Sequence, residues 1–154
     1  MILLDPLALA ILKKMLLAVF LGALIGVERE IAHKSAGMRT HALVALGSAL
    51  FTVAPVLLSG PTIDPTRIAA QVVTGIGFLG AGLIIFDQSH SRVQGLTTAA
   101  GVWVAAAIGM AVGFGLVGVA IWATLITILV FLVLWPIEQK FIKKFSRDDF
   151  TNDD

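Results

Sequence analysis

The stretch from Arg67 to Phe86, RIAAQVVTGIGFLGAGLIIF, decides the fold class, because it is 20 residues long and Arg67 is its only charged residue. A helix of about 20 apolar residues crosses the hydrocarbon core of a bilayer. The stretch also contains four glycines, and each glycine inside a helix costs about 1 kcal/mol relative to alanine. The glycines therefore predict either close packing against other backbones or a helix that is interrupted beside a polar site.

The composition of the whole chain agrees with a membrane protein. Of its 154 residues, 58% are hydrophobic and only 14% are charged, whereas about a quarter of the residues of a soluble domain are charged. The net charge of +1 gives no electrostatic basis for binding nucleic acid. The chain has no cysteine, which excludes disulfides and cysteine-based metal sites. We therefore expect the lipid bilayer to be its solvent.

Apolar segments recur along the chain and predict an all-α, polytopic transmembrane helical bundle of about five spans. The predicted spans are residues 7–27, 41–58, 67–86, 95–114 and 116–135, with a tight turn between the last two at Gly113–Gly115. The predicted transmembrane domain covers residues 1–136. Residues 137–154 form a short charged cytoplasmic tail, whose acidic end is predicted to be disordered.

The distribution of basic residues predicts the orientation of the bundle. Eight of the eleven lysines and arginines fall on one side of the five predicted spans. Basic residues favour the cytoplasmic side, so we expect the N-terminus outside and the C-terminus in the cytoplasm.

The loop after the first span is rich in charged and histidine side chains. It contains Glu28, Arg29, Glu30, His33, Lys34, Arg39 and His41. One interpretation is a solvated loop. The other is a Glu28 at membrane depth that pairs with Arg39, Arg67 or Arg92, because an unpaired charge there is costly. The spacing of the histidines and glutamates is irregular and predicts no metal site. Gly37 is predicted to stop the first helix.

The glycines of the third span fall on two faces of a helix. Gly75 and Gly82 are seven residues apart and share one face, and Gly77 and Gly80 lie roughly opposite. Small residues on both faces predict a central helix with neighbours on both sides. Gln71 and Thr74 precede the glycines and would supply oxygen atoms to a polar site if the helix is interrupted.

Two other spans carry small residues at intervals of four, which predicts tight helix packing. These helix-packing positions are Gly22 and Gly26 in the first span, and Gly101, Ala105, Gly109 and Gly113 in the fourth. Thr97 and Thr98 begin the fourth span and are predicted to cap it or to bond across to the third span. The chain contains no catalytic sequence motif, so we do not expect an enzyme.

Four strings of this sequence, in order, resemble the MgtC/SapB family of bacterial inner-membrane proteins. They are LGALIGVERE, AGMRTHALVALGSALFT, RIAAQVVTGIGFLGAGLII and VQGLTTAAGVWVAAAIGMAVG, and together they run from Leu21 to Gly113. The resemblance implies a small domain of about five spans. We expect no cofactor. The resemblance also implies roles in magnesium limitation, acid tolerance and virulence and, for one branch, inhibition of the F-type ATP synthase.

The resemblance carries the family motif onto particular residues of this chain, without a role for each. These residues are Glu28, Arg29, Gly37, Arg39, Thr40, Arg67, Gln71, Gly75, Gly77, Gly80, Gly82, Arg92, Gly95, Thr97 and Thr98. Virulence-type members add a soluble domain of the ACT type after the last span. Here 19 residues follow Trp135, so we expect a short form that lacks that domain.

Two functions remain open at this point. The first is a regulatory factor in stress adaptation that binds other membrane proteins, such as ATP synthase. The second is a transporter or channel for magnesium, potassium or protons. Five spans are few for a solitary transporter, so both functions predict a homo-oligomer, with a dimer favoured and the first or fourth span at its interface.

Overall fold

The computed structural model describes residues 5–57, 64–88 and 91–148, which form five helices and one β-hairpin. The helices are α1 (Pro6–Ile31), α2 (Met38–Leu57), α3 (Pro65–Gly82), α4 (Leu96–Gly113) and α5 (Val117–Asp148). Strands β1 (Ile85–Asp87) and β2 (Arg92–Gln94) lie between α3 and α4 and pair antiparallel, with Phe86 opposite Val93. The prediction of a helical bundle is confirmed.

Two helices begin at the same local sequence, an aspartate followed by a proline. The carboxylate of Asp5 accepts from the amide of Leu7 at 3.2 Å, and that of Asp64 accepts from the amide of Thr66 at 2.9 Å. Aspartate is a preferred N-cap, and proline fits the first helical position because that amide has no helical partner.

The Asp64 cap also depends on pH. The hydroxyl and the amide of Thr66 both donate to the carboxylate and hold the pKa of Asp64 below its ordinary value. Because this pKa is lowered by folding, the cap stabilises α3 at neutral pH and is lost as the pH falls through the titration range of the carboxyl.

Helix α1 ends in a Schellman motif. The amide of Lys34 donates to the carbonyl of Arg29 at 2.9 Å, and the amide of His33 donates to the carbonyl of Glu30 at 3.0 Å. His33 takes the left-handed conformation, with φ of 54°. The prediction that Gly37 stops this helix is therefore wrong, because Gly37 directly precedes α2 and the chain turns at His33.

The turn predicted between the last two spans is confirmed. Helix α4 ends at Gly113, and the next helix begins at Val117. Gly115 has φ of 83°, a conformation that glycine adopts without strain. The amide of Leu116 closes the turn by donating to the carbonyl of Ala111 at 2.8 Å.

The third predicted span is shorter than expected. Helix α3 is continuous through its glycines but ends at Gly82, and the last residues assigned to the span form β1. The hairpin returns the chain to Gly95, which has φ of 91° and lies so close to the carbonyl of Leu83 that any side chain there would overlap it. A tight return at this point requires glycine.

Helix α4 is the central helix of the bundle, since it packs against α1, α2, α3 and α5. The core where α1, α2 and α4 meet contains small side chains, among them Ala18, Ala45, Ala49 and Ala105, all fully buried. The packing glycines of α1 and α4 lie directly against the backbone of α2. A Cβ added to Gly22 would lie 2.6 Å from the carbonyl oxygen of His41, and one added to Gly113 would lie 2.7 Å from that of Ala49.

The prediction that the third span is central is wrong. In the described part of the chain, helix α3 packs mainly against α2 and α4, and Ile76 is its one buried residue. A Cβ added to Gly75, Gly77 or Gly82 would meet nothing within 4 Å, and one added to Gly80 would meet only the Cβ of Ala99, at 3.8 Å. The two-faced glycine pattern is real, but within one chain only one face is packed.

Three helices in the described part of the chain are long and apolar enough to cross a membrane: α1, α4, and residues Val117–Glu138 of α5. The chain is therefore a membrane protein by the length and composition of its helices. Helix α5 continues past Pro136 to Asp148, so the first part of the predicted tail is helical. The predicted orientation and the domain boundary at residue 136 stay predictions.

Replacing single glycines tests this packing. We expect Gly109→Ala to destabilise the bundle by about 1–3 kcal/mol, as overpacking of a core does, because the new Cβ would overlap the carbonyl of Ala45. Gly75→Ala adds the same methyl group in open space, and we expect it to be neutral or to stabilise the helix by up to about 1 kcal/mol. Thermal unfolding in detergent measures both, and equal effects would contradict the assignment of α4 as the central helix.

Candidate functional site

The antiparallel course of the helices brings one group of predicted site residues to one end of the bundle, here called the charged end. Helix α1 finishes there, α2 and α4 begin there, and the hairpin covers the end of α3. The predicted residues at this end are Glu28, Arg29, Arg39, Thr40, Gly80, Gly82, Arg92, Gly95, Thr97 and Thr98. Arg67 lies at the opposite end, and Gln71, Thr74, Gly75 and Gly77 lie along α3 between the two.

A buried arginine is the centre of the charged end. Arg29 is only 4% exposed. Its guanidinium donates to both carboxylate oxygens of Glu28, with Nη2 at 2.6 Å from Oε1. Two parallel bonds between a guanidinium and a carboxylate make a strong, oriented pair. The expected partners of Glu28 were Arg39, Arg67 or Arg92, and that expectation is wrong, because the neighbouring Arg29 takes the role.

Arg29 also lies on an aromatic ring of the last helix. Its guanidinium carbon is 3.7 Å from the centre of the Phe131 ring in α5, and Phe131 is itself buried. A cation over a ring face is attracted by the negative charge of that face, more strongly where water is excluded. The pair of Glu28 and Arg29 therefore has no net charge, and the Phe131 ring shields one side of it from water. Both features allow the pair to lie at the edge of an apolar core.

His41, on the first turn of α2, is fully buried beside this pair. Its Nδ1 lies 2.9 Å from the carbonyl oxygen of Gly37. A carbonyl only accepts, so Nδ1 carries the proton and the neutral ring presents Nε2 as an acceptor. Nε2 has no hydrogen-bond partner among the described residues. The sequence indicated only that His41 belongs to a polar loop, since its burial depends on where α4 lies.

Gly101 of α4 makes room for both rings. A Cβ at this position would lie 3.1 Å from the ring of Phe131 and 3.2 Å from Nε2 of His41. Because Gly101 has no side chain, the ring of His41 from α2 and the ring of Phe131 from α5 can both contact this turn of α4. The described residues contain no group of three histidine or acidic side chains that could hold a metal ion.

The other residues of the charged end face outward or close the loops. Arg39, Thr40, Arg92 and Thr97 are exposed, whereas Thr98 is buried. Glu30 accepts from the amide of Met38 at 2.9 Å and so caps the start of α2. The prediction that Thr97 and Thr98 cap α4 is wrong, because the N-cap is Gly95 and no side chain caps this helix.

A second feature lies along α3. An apolar groove of about 540 Å³ runs between α2 and α3. Gln71 and Gly75 belong to its wall, together with Ser48 and Phe51 of α2. Gln71 and Thr74 are both exposed, and the hydroxyl of Thr74 donates to the carbonyl of Ala70 at 3.0 Å. The sequence predicted that Gln71 and Thr74 would supply oxygen atoms beside an interrupted helix. Helix α3 is instead continuous, and both side chains lie on its outer surface.

Comparison with known proteins identifies the family. The profile of the MgtC family matches residues 15–140. The chain belongs to the MgtC family. It is 51% identical over 122 residues to a protein named MgtC from Brucella abortus, and 44% identical over 126 residues to a protein of the same name from Salmonella typhimurium. It is 45% identical over 141 residues to the Escherichia coli protein named putative magnesium transporter YhiD.

These matches cover most of this MgtC-family chain but less of its relatives. They span 79%, 82% and 87% of the chain for the Brucella, Salmonella and Escherichia proteins respectively. They span only 50%, 53% and 64% of those proteins. No solved structure matches the chain.

The buried charge pair makes a direct prediction about stability. We expect Glu28→Gln to destabilise the protein by about 3–5 kcal/mol, because it leaves Arg29 buried without a counter-charge. We expect the double variant Glu28→Gln, Arg29→Met to recover most of that loss, since it removes both charges and keeps an unbranched side chain against Phe131. Unfolding of the two single variants and the double variant in detergent gives the coupling energy. Additive effects would show that the pair contributes nothing.

Proposed function

We propose that this MgtC-family protein acts by binding other membrane proteins, as a regulatory factor in stress adaptation. The observation that carries this proposal is the closed interior of the bundle. The glycines of α1 and α4 lie against the backbone of α2 so closely that Gly22, Gly109 and Gly113 have no space for even a methyl group. An ion path needs room lined by oxygen atoms, and this seam leaves none.

The buried hydroxyl groups support the same conclusion. Thr52 donates to the carbonyl of Ser48 at 2.9 Å, and Thr124 donates to that of Ala120 at 2.8 Å. Each hydroxyl is therefore satisfied by its own helix and does not join a chain of polar groups between helices. Lys14 likewise donates to the carbonyl of Gly113 at 2.9 Å and covers the end of α4.

The charged end offers a surface for a partner. Arg39 and Arg92 are exposed there, and the hairpin beside them exposes Ile85, Phe86 and Val93, each by more than half. Basic groups beside exposed apolar and aromatic groups suit a partner at the membrane surface. ATP synthase is the partner that the family resemblance implies. The associated roles in magnesium limitation, acid tolerance and virulence are part of this proposal.

Ion transport is the second candidate, and the Escherichia coli relative named putative magnesium transporter YhiD points to it. One structural observation favours it. Arg29 and His41 are buried beside the partly buried Glu28, and Nε2 of His41 has no hydrogen-bond partner among the described residues. Ionisable groups within membrane helices commonly mark ion pathways. Because the seam between α1, α2 and α4 is closed, such a path would lie between copies of the chain.

A reconstitution experiment separates the two functions. Purified ATP synthase and this protein are placed together in liposomes, and proton pumping driven by ATP hydrolysis is measured. Under the regulatory proposal, pumping falls and the two proteins co-precipitate, whereas liposomes with this protein alone carry no magnesium, potassium or proton flux. Flux through the unmodified protein alone would support transport and contradict the regulatory proposal.

The role of the charged end is tested by matched arginine variants. We expect Arg39→Ala with Arg92→Ala to weaken co-precipitation with ATP synthase by about tenfold, as the loss of two surface charge contacts of about 0.7 kcal/mol each would. Arg67→Ala removes an exposed arginine from the opposite end and serves as the control. If the Arg67 variant loses as much binding, the partner does not bind at the charged end.

A further inference from the structure

Helix α3 is poorly suited to contact lipid. It is not among the described helices that are apolar enough to cross a membrane, yet Ile76 is its only buried residue in the described part. Its exposed surface includes the amide of Gln71 and the bare backbone of Gly75 and Gly82. An amide that faces hydrocarbon has no hydrogen-bond partner and is costly there. This surface therefore calls for a protein cover.

We propose that the cover is a second copy of this chain, packed two-fold against α3 and the groove between α2 and α3. Such an interface uses the same patch on both copies, so each element of the patch must fit another element of the same patch. The surface of α3 meets this condition at two places, at Phe78 with the groove and at Gln71.

The first place is a protruding ring opposite a groove. Phe78 is 82% exposed, the highest exposure among the large apolar side chains described. The groove of about 540 Å³ lies on the same chain, and Gly75 and Leu79 of its wall flank Phe78 in sequence. Phe78 is therefore at the depth of the groove. A two-fold axis along the membrane normal preserves depth, so Phe78 of each copy can enter the groove of the other.

The second place is Gln71. A glutamine amide carries both donors and an acceptor, so it can pair with its own copy, which a lysine or a carboxylate cannot do. Gln71, Gly75, Phe78 and Gly82 are spaced by four, three and four residues and share one face of α3. The two glycines on this face allow two helix backbones to approach, so that the amides of two copies can meet.

The other helices offer no equivalent surface. The first or fourth span was expected at the interface, but the glycines of α1 and α4 are already packed against α2 within one chain. Helix α5 exposes large hydrocarbon side chains such as Leu125, Leu129 and Leu132, which lipid covers without loss. The glycines of α3 do not pack closely against another helix of the same chain.

The absence of native cysteine makes disulfide cross-linking a clean test. Gln71→Cys is introduced into the full chain, which is oxidised in native membranes and separated without reductant. We expect a band at twice the mass of the chain, because residue 71 of one copy is proposed to lie against residue 71 of the other. Leu129→Cys, at a 59% exposed position of α5, and Phe20→Cys, at a 59% exposed position of α1, are controls and should remain monomeric.

The pattern of bands decides the outcome. Equal cross-linking at Leu129 or Phe20, or no cross-linking from α3, would overturn the proposal. A band at another mass would mean that a different protein covers α3, and would overturn it too. These results do not depend on ATP synthase or on ion flux, so they leave the proposed function to its own test.

A size series tests the same face without new cysteines. Gly75→Leu adds a side chain where the single chain has open space, so we expect normal thermal stability of the monomer but loss of the dimer in sedimentation. Gly118→Leu makes the same change at an open glycine of α5 and should leave the dimer intact. Gln71→Leu should weaken the dimer about three- to tenfold, the range for one hydrogen bond between membrane helices. Dimers unaffected by Gly75→Leu would overturn the proposal.

Discussion

Direct contact between helix backbones holds this bundle together. Helix α2 lies against Gly22 and Gly26 of α1 on one side and against Gly109 and Gly113 of α4 on the other. In a bilayer, apolar side chains gain little by leaving lipid, so helix association depends on close packing. Alanines such as Ala45 and Ala49 fill what space remains. Helix α2 therefore lies between two glycine surfaces, one on α1 and one on α4.

The charged end follows from that seam. Because α1 and α2 approach so closely, the end of α1 lies beside the start of α2, and Arg29 and His41 become buried near each other. Gly101 of α4 then admits Phe131 of α5 to the same place. Buried charge is tolerated here because the carboxylate, the guanidinium and the ring form one compact group. In the described part of the chain, the same close packing leaves no open space along the seam of α1, α2 and α4.

The sequence predicted well whatever depends on local composition. The positions of the first, fourth and fifth spans, the turn at Gly115 and the close packing of Gly109 all follow from apolar length and small-residue spacing. It predicted poorly what depends on which helices become neighbours. The glycines of α3 and those of α4 both predict close packing, and only the fold distinguishes a packed face from an open one. Similarly, the ring that covers Arg29 belongs to Phe131, 102 residues away in the sequence, so local sequence alone did not indicate this contact.

That distance along the chain has a consequence for biogenesis. Helices enter the membrane roughly in the order of their synthesis, and α5 is the last of the five. Until α5 arrives, the face of Arg29 that Phe131 covers has no ring against it. Glu28 is the adjacent residue, so the counter-charge of Arg29 lies on the same helix and does not depend on α5. Arg29 therefore has its counter-charge on its own helix before Phe131 of the last helix packs against it.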